Sequence, residues 1–223
     1  MKSEHIEFLK KVKPLTQGNV GKNALVFGQR TQNMKDLPLG LDKVFNRADL
    51  FEIAKDQNYS NLAVTVAILA WGGMRYDHAR NLSSNWGNLE PIIESLRGGA
   101  IKTRKDAFKI LREERAKNNL PGLGIGYYTK LICFMNKDLN GYIMDQWTAK
   151  SINLLWGDKL INVSNSGWVT DKNNAPIYDS FCERIEELAS TLNLTPIEAE
   201  QRIFSVGGRN PGEWRMYVKR NYQ

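Results

Sequence analysis

Apolar residues return at three- and four-residue steps through most of this chain, and that spacing restricts it to helices. Tyr178, Phe181, Cys182, Ile185, Leu188, Ala189 and Leu192 mark one face of a long amphipathic helix. Residues 62–71 are apolar all round and follow Ser60, a natural N-cap, so they belong in the middle of a core. Periodicity predicts further helices over 47–55, 89–96, 103–117, 127–135, 146–156 and 196–206, with an amphipathic start to the chain and a short helix over 211–219. Thr195-Pro196 fits an N-cap followed by a first-turn proline. Strand signals are thin: residues 23–27 read as extended, and 162–170 read as a polar loop. The expectation is an all-α protein of about nine or ten helices, forming a single domain over 1–223.

Charge narrows the partners. A formal net charge of +7 and a pI near 9.3 favour an anionic partner, nucleic acid first among them. Lys102, Arg104, Lys105, Lys109, Arg112, Arg115, Lys117 and Lys130 face only Asp106, Glu113 and Glu114 between residues 101 and 130. A solvated helix face with pairs such as Lys109–Glu113 would account for them equally well. A second basic cluster, Arg209, Arg215, Lys219 and Arg220, reads as solvated tail. Cys133 and Cys182 sit in apolar stretches without a His or Cys at ligand spacing, which predicts core thiols and no metal. The amphipathic, charged first residues do not read as a signal peptide, and no apolar run is long enough for a bilayer. A cytoplasmic monomer without cofactor or membrane contact is expected, nucleoid-associated if bacterial.

The segment Leu120-Pro-Gly-Leu-Gly-Ile-Gly126 joins the basic helix to an apolar one. Gly122, Gly124 and Gly126 permit positive φ and carry no Cβ to hold a phosphate away. The next helix opens with unpaired amides and a positive dipole end. Such a turn can cradle one phosphate without reading sequence. It can equally be a helix stop with a purely structural purpose.

LPGLGIGYYTKLICFM resembles the hairpin of the helix-hairpin-helix DNA glycosylase superfamily, whose pattern is Leu-Pro-Gly-Val/Ile-Gly, two variable residues, Thr-Ala and an apolar helix. The closest branch is that of 8-oxoguanine DNA glycosylase and its bacterial relatives, and the motif spans 104–135. That family places a catalytic aspartate about twenty residues beyond the glycines at the start of the next helix. Here Asp145, in YIMDQWTAKSINLL, lies 19 residues after Gly126 and 21 after Gly124. The resemblance covers about 104–156. It implies two helical lobes with a cleft between them, double-stranded DNA carrying a lesion or modified base as partner, and base flipping. It also implies hairpin contacts to DNA at Gly122, Gly124, Gly126, Tyr128 and Thr129. A carboxylate suits this chemistry because breaking an N-glycosidic bond builds positive charge on the sugar. Asp is also an ordinary N-cap, and that reading of Asp145 stays open.

The chain departs from the family at the lysine that bifunctional members use to form a Schiff base. Aligning on Gly124-Ile125-Gly126 puts Tyr128 there and keeps Thr129 in the family's Thr position. Aligning on Gly122-Leu123-Gly124 puts Gly126 there instead. Lys130 is the candidate nucleophile, two residues late in the first register; phosphate contact and water attack are its alternatives. Gln146-Trp147 also replaces the Thr-His or Val-His usual after the aspartate. Trp71, Arg75 and Trp147 are candidate base-pocket residues, with Gly72-Gly73 permitting close approach. Residues 204–209, including Arg209, are a further candidate wall; for Trp71 a core position with glycine ending its helix is the alternative. Base excision, with oxidised guanine as first substrate by analogy, thus competes with a catalytically silent helix-hairpin-helix DNA-binding protein and, third, with a helical interaction protein.

Overall fold

The computed structural model describes residues 1–14, 20–32, 39–205, 207 and 211–222. In chain order the helices are α1 (Ser3–Lys11), α2 (Ala24–Gln32), α3 (Arg47–Lys55), α4 (Asn61–Trp71), α5 (Tyr76–Ser83), α6 (Trp86–Arg97) and α7 (Arg104–Ala116). They continue with α8 (Ile125–Met135), α9 (Gln146–Trp156), α10 (Ala175–Leu192), α11 (Pro196–Phe204) and α12 (Glu213–Asn221). Two short 3-10 turns lie at Leu39–Leu41 and Lys137–Leu139. The chain is all-α: among the described residues the only β pairing is a single antiparallel bridge, Val163 to Val169. No helix of the described residues is long and apolar enough to cross a membrane.

The chain forms two compact units. One is Gly18–Gly141, and the other joins Met1–Gln17 to Tyr142–Gln223. In the first, α4 is the axis, packed by α2, α3, α6 and α8. Residues Ala63 to Trp71 are all buried, as expected of a helix apolar on every face. Ser60 accepts from the Ala63 amide and starts it. In the second unit α9 is central, with α1, α10, α11 and α12 around it. Thr195 caps α11 reciprocally with Glu198, and Pro196 occupies its first turn. Cys133 and Cys182 are both buried.

Two helices exceed the periodicity-based count, and each has a local reason. Residues 23–27 are not extended; they enter α2. Asn23 Oδ1 accepts from the Val26 amide at 3.0 Å, and the Asn23 carbonyl accepts from Phe27 at 2.9 Å. Capping together with burial of Ala24 and Phe27 outweighs the strand preference of a Leu-Val-Phe run. α5 escapes detection because it buries only Ala79 and Leu82.

One side chain ties the turn between α3 and α4 to the end of α6. Arg97 donates to the carbonyls of Ile53, Ala54, Asp56 and Tyr59 and to Asn61 Oδ1. Burial pulls its pKa below the usual arginine value. Replacing it by methionine keeps the stem but strands these acceptors. The expected cost is about 2–4 kcal/mol of unfolding free energy, read from urea denaturation; a change below about 0.5 kcal/mol would contradict this role.

Candidate functional site

The hairpin lies in the Gly18–Gly141 unit between α7 and α8. Its glycines serve different purposes. Gly122 has φ +81°, and a Cβ there would stand 2.6 Å from the His78 carbonyl oxygen. Close packing on α5 therefore demands glycine at this point. Gly124 is the N-cap of α8, and a Cβ there would meet nothing within 4 Å. It supplies no side-chain cap. The amides of Tyr127 and Tyr128 turn back to its carbonyl at 2.8 and 3.0 Å. Ile125 and Gly126, the first two helical residues, have no intrahelical acceptor. Two donors at the positive end of a helix beside an open glycine can hold an anion.

Beyond them the side chains turn inward. Tyr128 is fully buried with its ring edge-on to Phe108 at 5.1 Å. The buried Thr129 hydroxyl donates to the Ile125 carbonyl at 2.8 Å. Any contact these two residues make with a ligand is limited to their backbone. Lys130 is also buried, its stem lying over α4's end: a Cβ at Gly72 would come 2.8 Å from Lys130 Cδ. Its Nζ donates to the Gly126 carbonyl at 2.6 Å and lies 5.6 Å from the Tyr127 ring centre. Helical side chains lean toward the N-terminus. The amine thus ends one turn before its own Cα, at the level of Gly126.

Trp71 is 5% exposed, edge-on to Phe134 at 5.1 Å, with the Arg47 guanidinium 5.3 Å from its ring. It packs as a core residue. Arg75 is exposed and grips Asp77 with two hydrogen bonds of 3.0 and 2.8 Å. That pairing raises the arginine's pKa and lowers the aspartate's. Burial raises the phenol pKa of Tyr127, an effect opposed by a hydrogen bond from the Arg75 backbone.

Asp145 stands in the other unit as the N-cap of α9. Its Oδ1 accepts from the amides of Trp147 at 2.7 Å and Thr148 at 3.1 Å, while its own amide donates to Thr148 Oγ1 at 3.0 Å. The Thr148 hydroxyl donates on to the Ile143 carbonyl at 2.8 Å. One carboxylate oxygen is therefore locked, and Oδ2 has no hydrogen bond among the described residues. Trp147, half-buried, is ringed by cations: Arg215 at 4.5 Å, Lys150 at 5.0 Å and Lys219 at 5.7 Å from its ring centre.

Arg215 does not behave as solvated tail. It is buried, stacks also on Phe204, and donates to the Phe204 and Ser205 carbonyls at 2.7 and 2.9 Å. Burial lowers its pKa and that of Lys150, and the Asp145 carboxylate opposes both shifts. Ser205 has φ +55° and ψ 167°, a strained combination for a non-glycine residue. Of the segment 204–209, residues 206, 208 and Arg209 lie outside the described residues. No pattern in α12 marks Arg215 for this position. Lys150 went unread as well, although its place one turn after Trp147 on the same helix is a signal that could have found it.

A protein-family model described as "Putative 8-oxoguanine DNA glycosylase OGG-like protein" matches residues 26–204, most of the chain and including both the hairpin and Asp145. No curated protein and no solved structure matches it.

The capping geometry separates what Asp145 does for the fold from anything its charge does. Asparagine accepts the same two amide bonds, so Asp145→Asn should unfold within about 0.5 kcal/mol of the parent, whereas Asp145→Ala should lose about 1 kcal/mol. Equal melting of Asp145→Ala and the parent would mean that the cap contributes nothing.

Proposed function

The chain belongs to the 8-oxoguanine DNA glycosylase-like family, and on that premise we propose that it excises a damaged or modified base from double-stranded DNA, with Asp145 as the catalytic carboxylate. Oxidised guanine is the first substrate to test. The observation that carries this reading is the divided carboxylate: Oδ1 held by two amides, Oδ2 without a hydrogen bond among the described residues. A fixed anion with one oxygen available suits a sugar that gains positive charge as its bond to the base breaks.

In this account the Ile125 and Gly126 amides hold one DNA phosphate, and the net charge of +7 adds a sequence-independent attraction. The target nucleotide leaves the stack to be read. Trp147, with its three cations, is the better-supported aromatic for this end of the DNA, because Trp71 is committed to packing. As the glycosidic C–N bond breaks, its electron pair leaves with the base, and Asp145 stabilises the sugar cation. A water molecule, deprotonated by the carboxylate, then adds at the sugar carbon.

A specific observation favours keeping a second nucleophile. The Lys130 amine lies at the Gly126 carbonyl, the level at which one alignment register sets the family's lysine. If that amine attacks the sugar carbon, it gives up a proton to water, the nucleobase leaves with the electron pair of the glycosidic bond, and an imine to the opened sugar remains until water releases it. As a silent DNA-binding protein, the chain would keep the hairpin and use Asp145 only as a cap.

Base release should fall by at least about 100-fold in Asp145→Asn, with duplex affinity kept within about threefold. Unchanged release would remove Asp145 from the chemistry. Borohydride should trap a covalent DNA adduct that disappears in Lys130→Ala if the amine attacks. An active enzyme that yields no adduct uses water, and an adduct lost only in Lys150→Ala would move the nucleophile to that residue.

A further inference from the structure

Trp168 is 61% exposed; the other large hydrophobic left exposed among the described residues is Val26, which belongs to the other unit. The loop that carries it is tightly built. Ser164 and Trp168 exchange hydrogen bonds: the Ser164 amide donates to the Trp168 carbonyl at 2.8 Å, and the Trp168 amide donates to Ser164 Oγ at 3.1 Å. The Val163–Val169 bridge closes the neck. Below it the fully buried Asn173 accepts from the Asn162 amide at 2.8 Å and donates to the Asn162 and Thr170 carbonyls at 2.9 and 2.8 Å. A loop clamped at this many points presents its aromatic residue at low conformational cost.

The surroundings describe the partner. One wall of a cavity of about 510 Å³ is this same loop, and Lys150, Lys159, Ile161 and Tyr222 line the rest. Lys150 reaches the loop itself: a Cβ at Gly167 would stand 2.6 Å from its Nζ. The same amine lies over Trp147, next to Asp145, so the loop adjoins the proposed carboxylate site within this unit. Burial lowers the Lys150 pKa, opposed by Asp145. A protein docking site would need a contiguous apolar area of several hundred Å². Here Ser164, Asn165, Ser166 and Gly167 adjoin the tryptophan instead. An exposed ring on a loop whose preceding residue, Gly167, lies against the Lys150 amine, and whose neighbouring cavity is lined by Lys150 and Lys159, suits a nucleobase attached to its phosphate.

We propose that the 162–170 loop is a second nucleic-acid contact, in which Trp168 stacks on an unpaired base and Lys150 and Lys159 take the adjoining backbone phosphate. The inference rests on the DNA reading above and adds the kind of nucleotide this unit holds: one already out of the helix. It assigns to Trp168 a preference for unpaired over paired DNA, with no part in the bond-breaking step.

Two lesion-free duplexes of one sequence, one fully paired and one with a single bulged base, test it by anisotropy titration at one salt concentration. The parent should bind the bulged duplex about tenfold more tightly, and Trp168→Ala should lose that preference while holding its affinity for the paired duplex. Trp168→Phe retains a ring and should keep most of the preference. Its tryptophan fluorescence should also lose most of the quenching that the parent shows on adding bulged DNA. The site is overturned if Trp168→Ala keeps the preference, or if the parent binds paired DNA without having one; in both cases the glycosylase reading stands. A parent that binds neither duplex overturns both readings. If Trp168→Ala instead dissociates a dimer in sedimentation and leaves DNA binding alone, the ring covers a second copy of this chain.

Discussion

Every helix opens with amides that its own carbonyls cannot reach, and this chain answers that constraint in two opposite ways. At α9 a carboxylate closes the end: Asp145 Oδ1 takes the Trp147 and Thr148 amides, and Thr148 returns the bond. At α8 the N-cap is Gly124, which has no side chain to offer, and Ile125 and Gly126 open the helix uncapped. The first solution fixes an anion in place and the second leaves donors for one. Both functional elements of the proposed enzyme are thus helix starts, and their chemistry follows from how each start is completed.

Capping leaves room for the catalytic role proposed for Asp145. A structural cap and a catalytic carboxylate need not exclude each other, because the group has two oxygens. Holding one by amides sets the rotamer and so aims the other, which is the preorganisation that electrostatic stabilisation of a cationic sugar requires. The surroundings reinforce it: Arg215 and Lys150 both feel the Asp145 charge, and both stand over Trp147.

What was legible in the sequence is what is encoded locally. The bounds of α3 and α9 follow from apolar spacing and, for α9, from Asp145 as cap, all within a few residues of each helix. Gly122 was legible as a turn, but its reason was not. It answers to the His78 backbone, 44 positions earlier, and no phosphate is needed to explain it. Trp71, Tyr128 and Thr129 look like contact residues beside glycines, yet their side chains serve the core, a matter decided by α3, α7 and the rest of α8. Lys130 gains meaning only once the lean of a helical side chain carries its amine back to Gly126. Arg215 and Trp168 were invisible in kind: one looked like tail charge and the other like a residue of a polar loop.

The central claim is that this chain breaks a base–sugar bond, and release of free base measures that directly. Under single turnover, with enzyme in excess over a duplex containing one 8-oxoguanine, chromatography should recover the free oxidised base in step with the formation of an abasic strand. A panel of duplexes bearing oxidised, alkylated and otherwise modified bases would extend the same measurement if that substrate is the wrong one. Retention of every base by duplexes that the protein demonstrably binds would contradict the account, and would leave the hairpin a DNA grip and Asp145 a helix cap.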